Sequence, residues 1–128
     1  MANIAYFEIP ANNVDRAKKF YHSLLGWKIE PTKSPMDPAM VKEMEYQDIS
    51  TGDAKEGTVN MGGMYKRMMN ESIINYVVVD DLDKTLAKVE KLGGHIVVPK
   101  KEIKTVGVIA VIIDTEGNAI GLWKPAKM

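Results

Sequence analysis

The strongest constraint on the fold of this chain is an internal repeat. Residues 12–31 (NNVDRAKKFYHSLLGWKIEP) align without a gap on residues 80–99 (DDLDKTLAKVEKLGGHIVVP). A second repeat places residues 61–66 (MGGMYK) on residues 119–124 (AIGLWK). One supersecondary unit therefore occurs twice. Because each copy is too short to bury its own apolar face, the two copies must pack together.

Hydrophobic periodicity predicts the elements of the first half. A strand at residues 4–9 precedes a helix that Asn12 or Asn13 caps and that Gly26 ends, because glycine tolerates the left-handed conformation. Residues 31–41 contain three prolines and are predicted to form a loop. The other strands predicted in this half are 27–30, 42–50 and 58–66, with a turn at 51–57.

The second half repeats this order. A strand at residues 73–79 leads to a helix that Asp81 caps and that Gly93 and Gly94 end. The remaining predicted strands are 95–98, 105–113 and 119–124, with a DTEGN turn before the last of them. Each half is thus a βαβββ module of a single domain at 1–128. Module one is 1–66, the linker is 67–72, and module two is 73–128.

The composition argues against several classes of function. The chain has 17 basic and 17 acidic residues and no net charge, whereas a nucleic-acid partner requires clustered lysine and arginine. Cysteine is absent, which fits a reducing cytoplasm. The N-terminus does not have the pattern of a signal peptide, and the longest apolar runs, 76–79 and 108–113, are too short to cross a bilayer. We therefore expect a cytoplasmic protein without a nucleic-acid or membrane partner.

Three stretches of the chain together resemble the vicinal-oxygen-chelate superfamily, which includes glyoxalase I, bleomycin-resistance proteins and extradiol dioxygenases. These are FEIPANNVDRAKKFYHSLLGW (7–27), VVVDDLDKTLAKVEKLGG (77–94) and DTEGNAIGLWKP (114–125). The resemblance implies an α+β fold in which two tandem βαβββ modules form a curled mixed sheet, or cup, with the helices outside and a ligand inside. It also implies a homodimer, which is common in the family.

The resemblance further implies where a metal ion would bind. Metal-dependent members take one ligand from the first and fourth strands of each module, and the corresponding residues here are Tyr6, Gly63, Ile74 and Gly121. A divalent ion needs several N, O or S donors, which glycine and isoleucine cannot supply and for which tyrosine is a poor substitute. We therefore predict no metal site and no cofactor. His22 and His95 are expected to be exposed surface residues.

Strand alternation predicts which side chains line the cup. If Phe7 and Ile9 face the helix, Tyr6 and Glu8 face the cup. The predicted ligand-binding residues are Tyr6, Glu8, Met61, Gly63, Tyr65, Ile74, Tyr76, Gly121 and Trp123. A lining of aromatic residues and methionine suits a flat or apolar small molecule.

Glu8 is the candidate catalytic residue. Burial among aromatic side chains would raise the pKa of this carboxyl group and suit it to general acid or base catalysis. Two other roles are open: Glu8 could contact a ligand, or it could be a structural carboxylate that accepts hydrogen bonds from Tyr76 or from backbone N–H groups.

Four functions are compatible with these residues. The one we expect is metal-free binding of a small, largely apolar or aromatic molecule, as the resemblance to bleomycin-resistance proteins implies. The second is a metal-independent lyase or isomerase that uses Glu8 as its general acid or base. The third is a divalent-metal glyoxalase or dioxygenase, which requires ligands that the sequence does not offer. The fourth is a dimerisation module whose cup is filled by Tyr6, Tyr65, Tyr76 and Trp123.

Overall fold

The chain folds as two compact units. A computed structural model describes residues 2–34, 36–53 and 59–126. Residues 6–73 form one unit, the first module, and residues 74–126 together with 2–5 form the other, the second module. The N-terminal residues join the second module because the Val78 N–H donates to the Asn3 C=O at 2.9 Å. The predicted α+β class is confirmed.

The first module contains four strands and two helices. They are β1 (Ile4–Ala11), α1 (Val14–Leu25), β2 (Lys28–Pro31), α2 (Pro38–Met44), β3 (Gln47–Ser50) and β4 (Met61–Lys66). The strand order is β2-β3-β4-β1, in which β1 and β4 are parallel and the other pairs antiparallel. Ile9, Ile49 and Met64 are buried with Val14 of α1, and Phe7 packs against them. Phe7 and Ile9 therefore face the helix, as predicted.

The second module has the same pattern of parallel and antiparallel pairs. Its elements are β5 (Ile74–Val78), α3 (Leu82–Val89), β6 (His95–Ile103), β7 (Gly107–Ile113) and β8 (Ala119–Pro125). The strand order is β5-β8-β7-β6, with β5 and β8 parallel. Val77 and Val79 pack against a core of Leu82, Ala110 and Leu122, so they face the helix. The cup shared by the two modules stays a prediction.

The N-terminal caps of α1 and α3 have nearly the same geometry. Asn13 has φ −136° and ψ 103°, and Asp81 has φ −139° and ψ 99°. Each side chain accepts a hydrogen bond of 3.0 Å, Asn13 from the Arg16 N–H and Asp81 from the Lys84 N–H. Gly26 then ends α1 with φ +73°. Both caps and this helix end were predicted from the sequence.

We expect Asn13→Ala and Asp81→Ala each to lower the free energy of unfolding by about 1 kcal/mol, since each leaves one N–H of the first helical turn unsatisfied. Urea denaturation followed by circular dichroism measures the change. The matched controls are Asn13→Ser and Asp81→Ser, which retain a capping oxygen and should stay close to the parent chain. Equal losses for alanine and serine would contradict a capping role.

The connection between β2 and β3 differs from the prediction. The loop expected at 31–41 and the strand expected at 42–50 are partly wrong, because residues 38–44 form α2 and β3 begins only at Gln47. Pro38 lies in the first turn of α2, where its fixed φ is suitable and its missing N–H has no intrahelical partner to lose. Asp37 caps this helix by accepting a 3.0 Å hydrogen bond from the Ala39 N–H. The turn and strand start predicted around residues 54–58 lie outside the described residues.

In the second module β6 is longer than the predicted strand at 95–98, and it reaches Ile103. None of the helices in the described part of the chain combines the length and the apolar character that a membrane span requires.

Candidate functional site

The predicted site residues of the first module lie on the face of its strands opposite α1, which we call the site face. Glu8 of β1 is the direct neighbour of Gly63 in β4, and Gly63 in turn is the neighbour of Asp48 in β3. Since Phe7 and Ile9 face α1, alternation places Glu8 on the other side of the strand. The half-buried Glu8 carboxylate therefore lies beside a residue that has no side chain.

A chain of hydroxyl groups ends on Glu8. The Tyr46 hydroxyl donates to Glu8 Oε2 at 2.8 Å, and the Tyr46 and Tyr6 hydroxyl oxygens are 2.6 Å apart. Because Tyr46 uses its only proton on Glu8, Tyr6 must be the donor in the second bond. The order of donation is therefore Tyr6 to Tyr46 to Glu8, and it fixes one oxygen of the carboxylate.

Gly63 is required because Tyr46 occupies the space beside it. A Cβ atom at position 63 would collide with the Tyr46 hydroxyl and would lie 2.6 Å from the Tyr6 hydroxyl oxygen. The space beside Gly63 is therefore occupied, and the group that occupies it belongs to a buried tyrosine that immediately precedes β3. Tyr46 was not among the site residues predicted from the sequence. Its alternation with Asp48 was the available signal for placing it on this face.

Tyr65 belongs to a second group of hydrogen bonds in the first module. Its hydroxyl donates to Glu71 Oε2 at 3.2 Å, and Glu71 also accepts from the N–H groups of Met68 (3.2 Å) and Met69 (2.7 Å). Partial burial opposes ionisation of Glu71, but these N–H groups and the Tyr65 hydroxyl together lower its pKa. Burial and the charge of Glu71 raise the pKa of Tyr65. The buried Tyr65 thus holds the linker in place, and its predicted ligand contact stays a prediction.

The predicted residues of the second module show a related arrangement. Tyr76 is the direct neighbour of Gly121, and a Cβ atom at position 121 would collide with the Tyr76 ring. Ile74 and Tyr76 are buried, and the Trp123 indole N–H donates to the Val106 C=O at 3.0 Å. In each module, therefore, a tyrosine fills the space beside the glycine. Met61, the remaining predicted residue, is 52% exposed in the first module.

The tyrosines of the hydroxyl chain are held in their neutral form. Burial, together with the negative charge of Glu8, raises the pKa of Tyr46. Burial raises the pKa of Tyr6 as well; the hydrogen bond with Tyr46 opposes this shift, whereas the charges of Glu8 and Asp48 add to it. Both phenols therefore remain hydrogen-bond donors throughout the neutral range.

We expect the free energy of unfolding to fall as the pH rises above about 10, the ordinary pKa of tyrosine. Above that pH the unfolded chain releases phenol protons that Tyr6 and Tyr46 retain in the folded chain, which favours unfolding. Above pH ~10, each retained proton makes the free energy of unfolding fall by about 1.4 kcal/mol per pH unit. Below pH ~10, the stabilising contribution of that phenol is fully present and constant.

Urea denaturation at a series of alkaline pH values measures this slope. Tyr46→Phe removes one of the three phenols whose pKa is raised in the folded chain, Tyr6, Tyr46 and Tyr65, so its slope should be shallower than that of the parent chain. A slope that Tyr46→Phe leaves unchanged would contradict the proposed retention of the proton.

The residues at the family's metal positions do not fit a divalent ion. Within the described ranges, no three His, Cys, Asp or Glu residues lie close enough together to hold a metal. The space at Gly63 contains a neutral phenol and the space at Gly121 contains ring carbons, neither of which is a good ligand.

The two histidines are exposed, as predicted: His22 Nδ1 is 2.9 Å from the Trp27 C=O, and His95 Nδ1 is 3.8 Å from the Glu90 carboxylate.

Two curated relatives carry glyoxylase names. The putative glyoxylase CFP32 of Mycobacterium tuberculosis is 28% identical over 119 residues, which cover 93% of this chain and 44% of the relative. A glyoxylase-like domain-containing protein of Didymella fabae is 33% identical over 91 residues, which cover 71% of this chain and 68% of that protein. This chain thus spans less than half the length of CFP32.

Solved structures share the fold of this chain, and a superfamily sequence model matches most of its length. A methylmalonyl-CoA epimerase of Streptomyces coelicolor has a similar fold, with a TM-score of 0.65, 14% identity, and coverage of 98% of this chain and 96% of the epimerase. The model of the Glyoxalase/Bleomycin resistance protein/Dioxygenase superfamily matches residues 3–122, which include both modules. This chain therefore belongs to the glyoxalase, bleomycin-resistance and dioxygenase superfamily.

Proposed function

We propose that this protein binds a small, largely apolar or aromatic molecule without a metal ion, and that Glu8 is the polar anchor of the site. The observation that carries the proposal is the Tyr46 hydroxyl, which fills the space at Gly63 and donates to Glu8 at 2.8 Å. In metal-dependent relatives the residue that corresponds to Gly63 would supply a metal ligand. Here the space beside Gly63 contains the Tyr46 hydroxyl, which is a hydrogen-bond donor.

The hydroxyl chain determines what Glu8 offers to a ligand. Tyr46 fixes Oε2, while a carboxylate has acceptor capacity for several hydrogen bonds on its two oxygens. The site therefore favours a ligand that presents a hydrogen-bond donor to Glu8. Half-exposed Met61 belongs to the same strand as Gly63, and its flexible thioether adapts to an apolar or aromatic body.

A screen of small aromatic and apolar compounds by thermal shift tests this proposal. We expect at least one compound to raise the melting temperature of the parent chain in a concentration-dependent manner. Tyr46→Phe should reduce that shift because it removes the donor to Glu8. The control Tyr21→Phe should retain it, since the Tyr21 ring stacks on Trp27 and takes no part in the hydroxyl chain. A stoichiometric metal ion in protein purified without added metal would contradict the proposal.

A metal-independent lyase or isomerase is the second candidate function. It is favoured by the same carboxylate, because a general base works best when a neighbouring group fixes its position, and Tyr46 does so for Glu8. One similar fold is named as an epimerase, so this architecture accommodates isomerisation in another protein.

Glu8→Gln separates the two functions. If Glu8 only anchors a ligand, the loss of its charge should weaken binding by about 10- to 100-fold, the range expected for a hydrogen bond to a charged group. If Glu8 moves a proton, turnover of a substrate found in the screen should be abolished while binding is largely retained. Calorimetry and a product assay on the same variant measure both quantities. Full activity of Glu8→Gln would eliminate the second candidate.

The proposal also includes a homodimer and a cytoplasmic location. The first rests on the family resemblance, and the second on the absence of cysteine. Sedimentation velocity tests the first, and fractionation of the source cells tests the second.

A further inference from the structure

The second module contains a cavity of about 820 Å³ beside α3. Its walls come from the N-terminal residues 2–5, the end of β5, the length of α3 and the end of β7. None of the predicted site residues lines it. The volume lies in the range of cavities that hold a small organic molecule.

The internal repeat explains why the second module has this space. Beside α1 of the first module, the Tyr21 ring stacks on Trp27 with centroids 5.2 Å apart, and Phe20 meets Tyr21 edge-on at 5.3 Å. By the alignment of 12–31 on 80–99, the residues that correspond to these three rings are Lys88, Val89 and His95. Two of the replacements, Lys88 and Val89, line the cavity. Smaller or flexible side chains therefore stand where the first module packs aromatic rings.

The walls of the cavity combine apolar side chains with two lysines, Lys84 and Lys88, and three aspartates, Asp80, Asp81 and Asp114. Val89 and Ile112 line it from α3 and β7, and Leu92 lies after α3 with 73% of its surface exposed. Lys84 and Lys88 are one helical turn apart on α3, so they project from the same face of the helix. Within the described residues neither lysine makes an ion pair, whereas Lys100 on β6 is 2.9 Å from Asp83.

Two of the three aspartates that line the cavity are fixed in place by local hydrogen bonds, although they keep their negative charge. Asp81 caps α3 by accepting the Lys84 N–H, and Asp114 accepts the N–H groups of Glu116 (2.8 Å) and Asn118 (2.9 Å). Asp80 is the acidic group that remains, and it lies at the start of α3. An anionic ligand would therefore place its charge further along the helix, towards Lys88.

We propose that this cavity binds an amphipathic organic anion, in which a carboxylate lies against Lys84 and Lys88 and an attached apolar chain covers Val89, Leu92 and Ile112. The lysines supply charge complementarity at the opening, and burial of the exposed Leu92 contributes hydrophobic free energy. The proposal is independent of the site face, because its residues belong to the other module.

Isothermal titration calorimetry with decanoate, below its micelle concentration, tests the proposal. Decanol and decylammonium are matched probes with the same apolar chain and a different charge. We expect saturable 1:1 binding of decanoate, and weaker binding of the other two. The double variant Lys84→Gln/Lys88→Gln should weaken decanoate binding by about five-fold or more, as expected for two partly exposed ion pairs, and should leave decanol binding unchanged.

Two filling variants test the location. Val89→Tyr introduces the side chain of its first-module counterpart, Tyr21. Lys88→Phe does the same for Phe20 at a neighbouring position that is exposed, so it is less able to destabilise the fold. Either substitution should abolish decanoate binding. Arg16→Gln, the first-module counterpart of a change at Lys84, should leave decanoate binding unchanged.

The absence of saturable decanoate binding would overturn the proposal. Tighter binding of decylammonium than of decanoate in a Glu8→Gln background, which removes the carboxylate of the other site, would overturn it too, as would unchanged decanoate binding in a folded filling variant. None of these results would affect the proposed ligand role of Glu8, which is measured with different compounds.

Discussion

Gly63→Ala is expected to lower the free energy of unfolding by about 3 kcal/mol. The new methyl group would collide with the Tyr46 hydroxyl, which lies between Tyr6 and Glu8 and is itself buried. Overpacking of this kind costs about 1–3 kcal/mol, and the broken hydrogen bond to Glu8 adds about 1 kcal/mol. The same variant should lose the ligand-dependent thermal shift of the parent chain, because Glu8 is no longer held.

A double-mutant cycle identifies the cause of that loss. In a Tyr46→Ala background the obstructing ring is absent, and the Tyr6 hydroxyl, which is 2.6 Å from the Cβ position, can move into the vacated space, so Gly63→Ala should cost at most about 1 kcal/mol. Urea denaturation of the four proteins gives the coupling free energy. Equal costs of Gly63→Ala in the two backgrounds would show that the Tyr46 hydroxyl is not the obstacle.

Gly107→Ala is expected to have the largest effect on stability, about 4 kcal/mol. Gly107 begins β7 with φ +128°, a conformation in which a side chain is strained by about 1–3 kcal/mol. A Cβ atom there would also collide with the Lys124 C=O and would lie 2.7 Å from the Ala126 nitrogen. Because these are backbone atoms, relief requires the end of β8 to move, and that adds an overpacking cost of about 1–3 kcal/mol.

Gly52→Ala is the matched control for Gly107→Ala. Gly52 has φ +127°, and no described atom lies within 4 Å of the position of its Cβ. It therefore carries the same conformational strain without the collision, and its cost should be smaller by about 2 kcal/mol. The difference between the urea midpoints of the two variants measures only the part of the destabilisation that comes from the steric collision. Equal destabilisation of both variants would contradict the predicted collision with β8.

The sequence predicted the parts of the fold that depend on local chemistry. Asn13, Asp81 and Gly26 act at the ends of helices as their residue types indicate, because a capping oxygen or a left-handed glycine needs only its immediate neighbours. The alternation of Phe7 with Glu8 likewise separated the helix side of β1 from the site face. In each case, a short pattern of residues was sufficient to predict the local structure.

The sequence did not predict the part of the site that depends on distant contacts. Tyr46 reaches Glu8 across 38 positions of the chain, and no periodic pattern reports such a contact. The prolines of residues 31–41 suggested a loop, although Pro38 is instead compatible with the first turn of a helix. Glu45 then ends α2 with φ +51°, which glutamate adopts rarely, so the turn that directs the chain to Tyr46 had no sequence signal.

The position of Tyr46 has a consequence for how this architecture can diversify. Because Gly63 contributes only space, the functional group beside Glu8 is chosen at a residue that precedes β3 and lies outside β1 and β4. A single codon change at that residue would exchange the phenol for an amide or an imidazole while the pairing of β1 with β4 stayed the same. New ligand preferences can therefore evolve in the connection between β2 and β3 without remodelling the sheet.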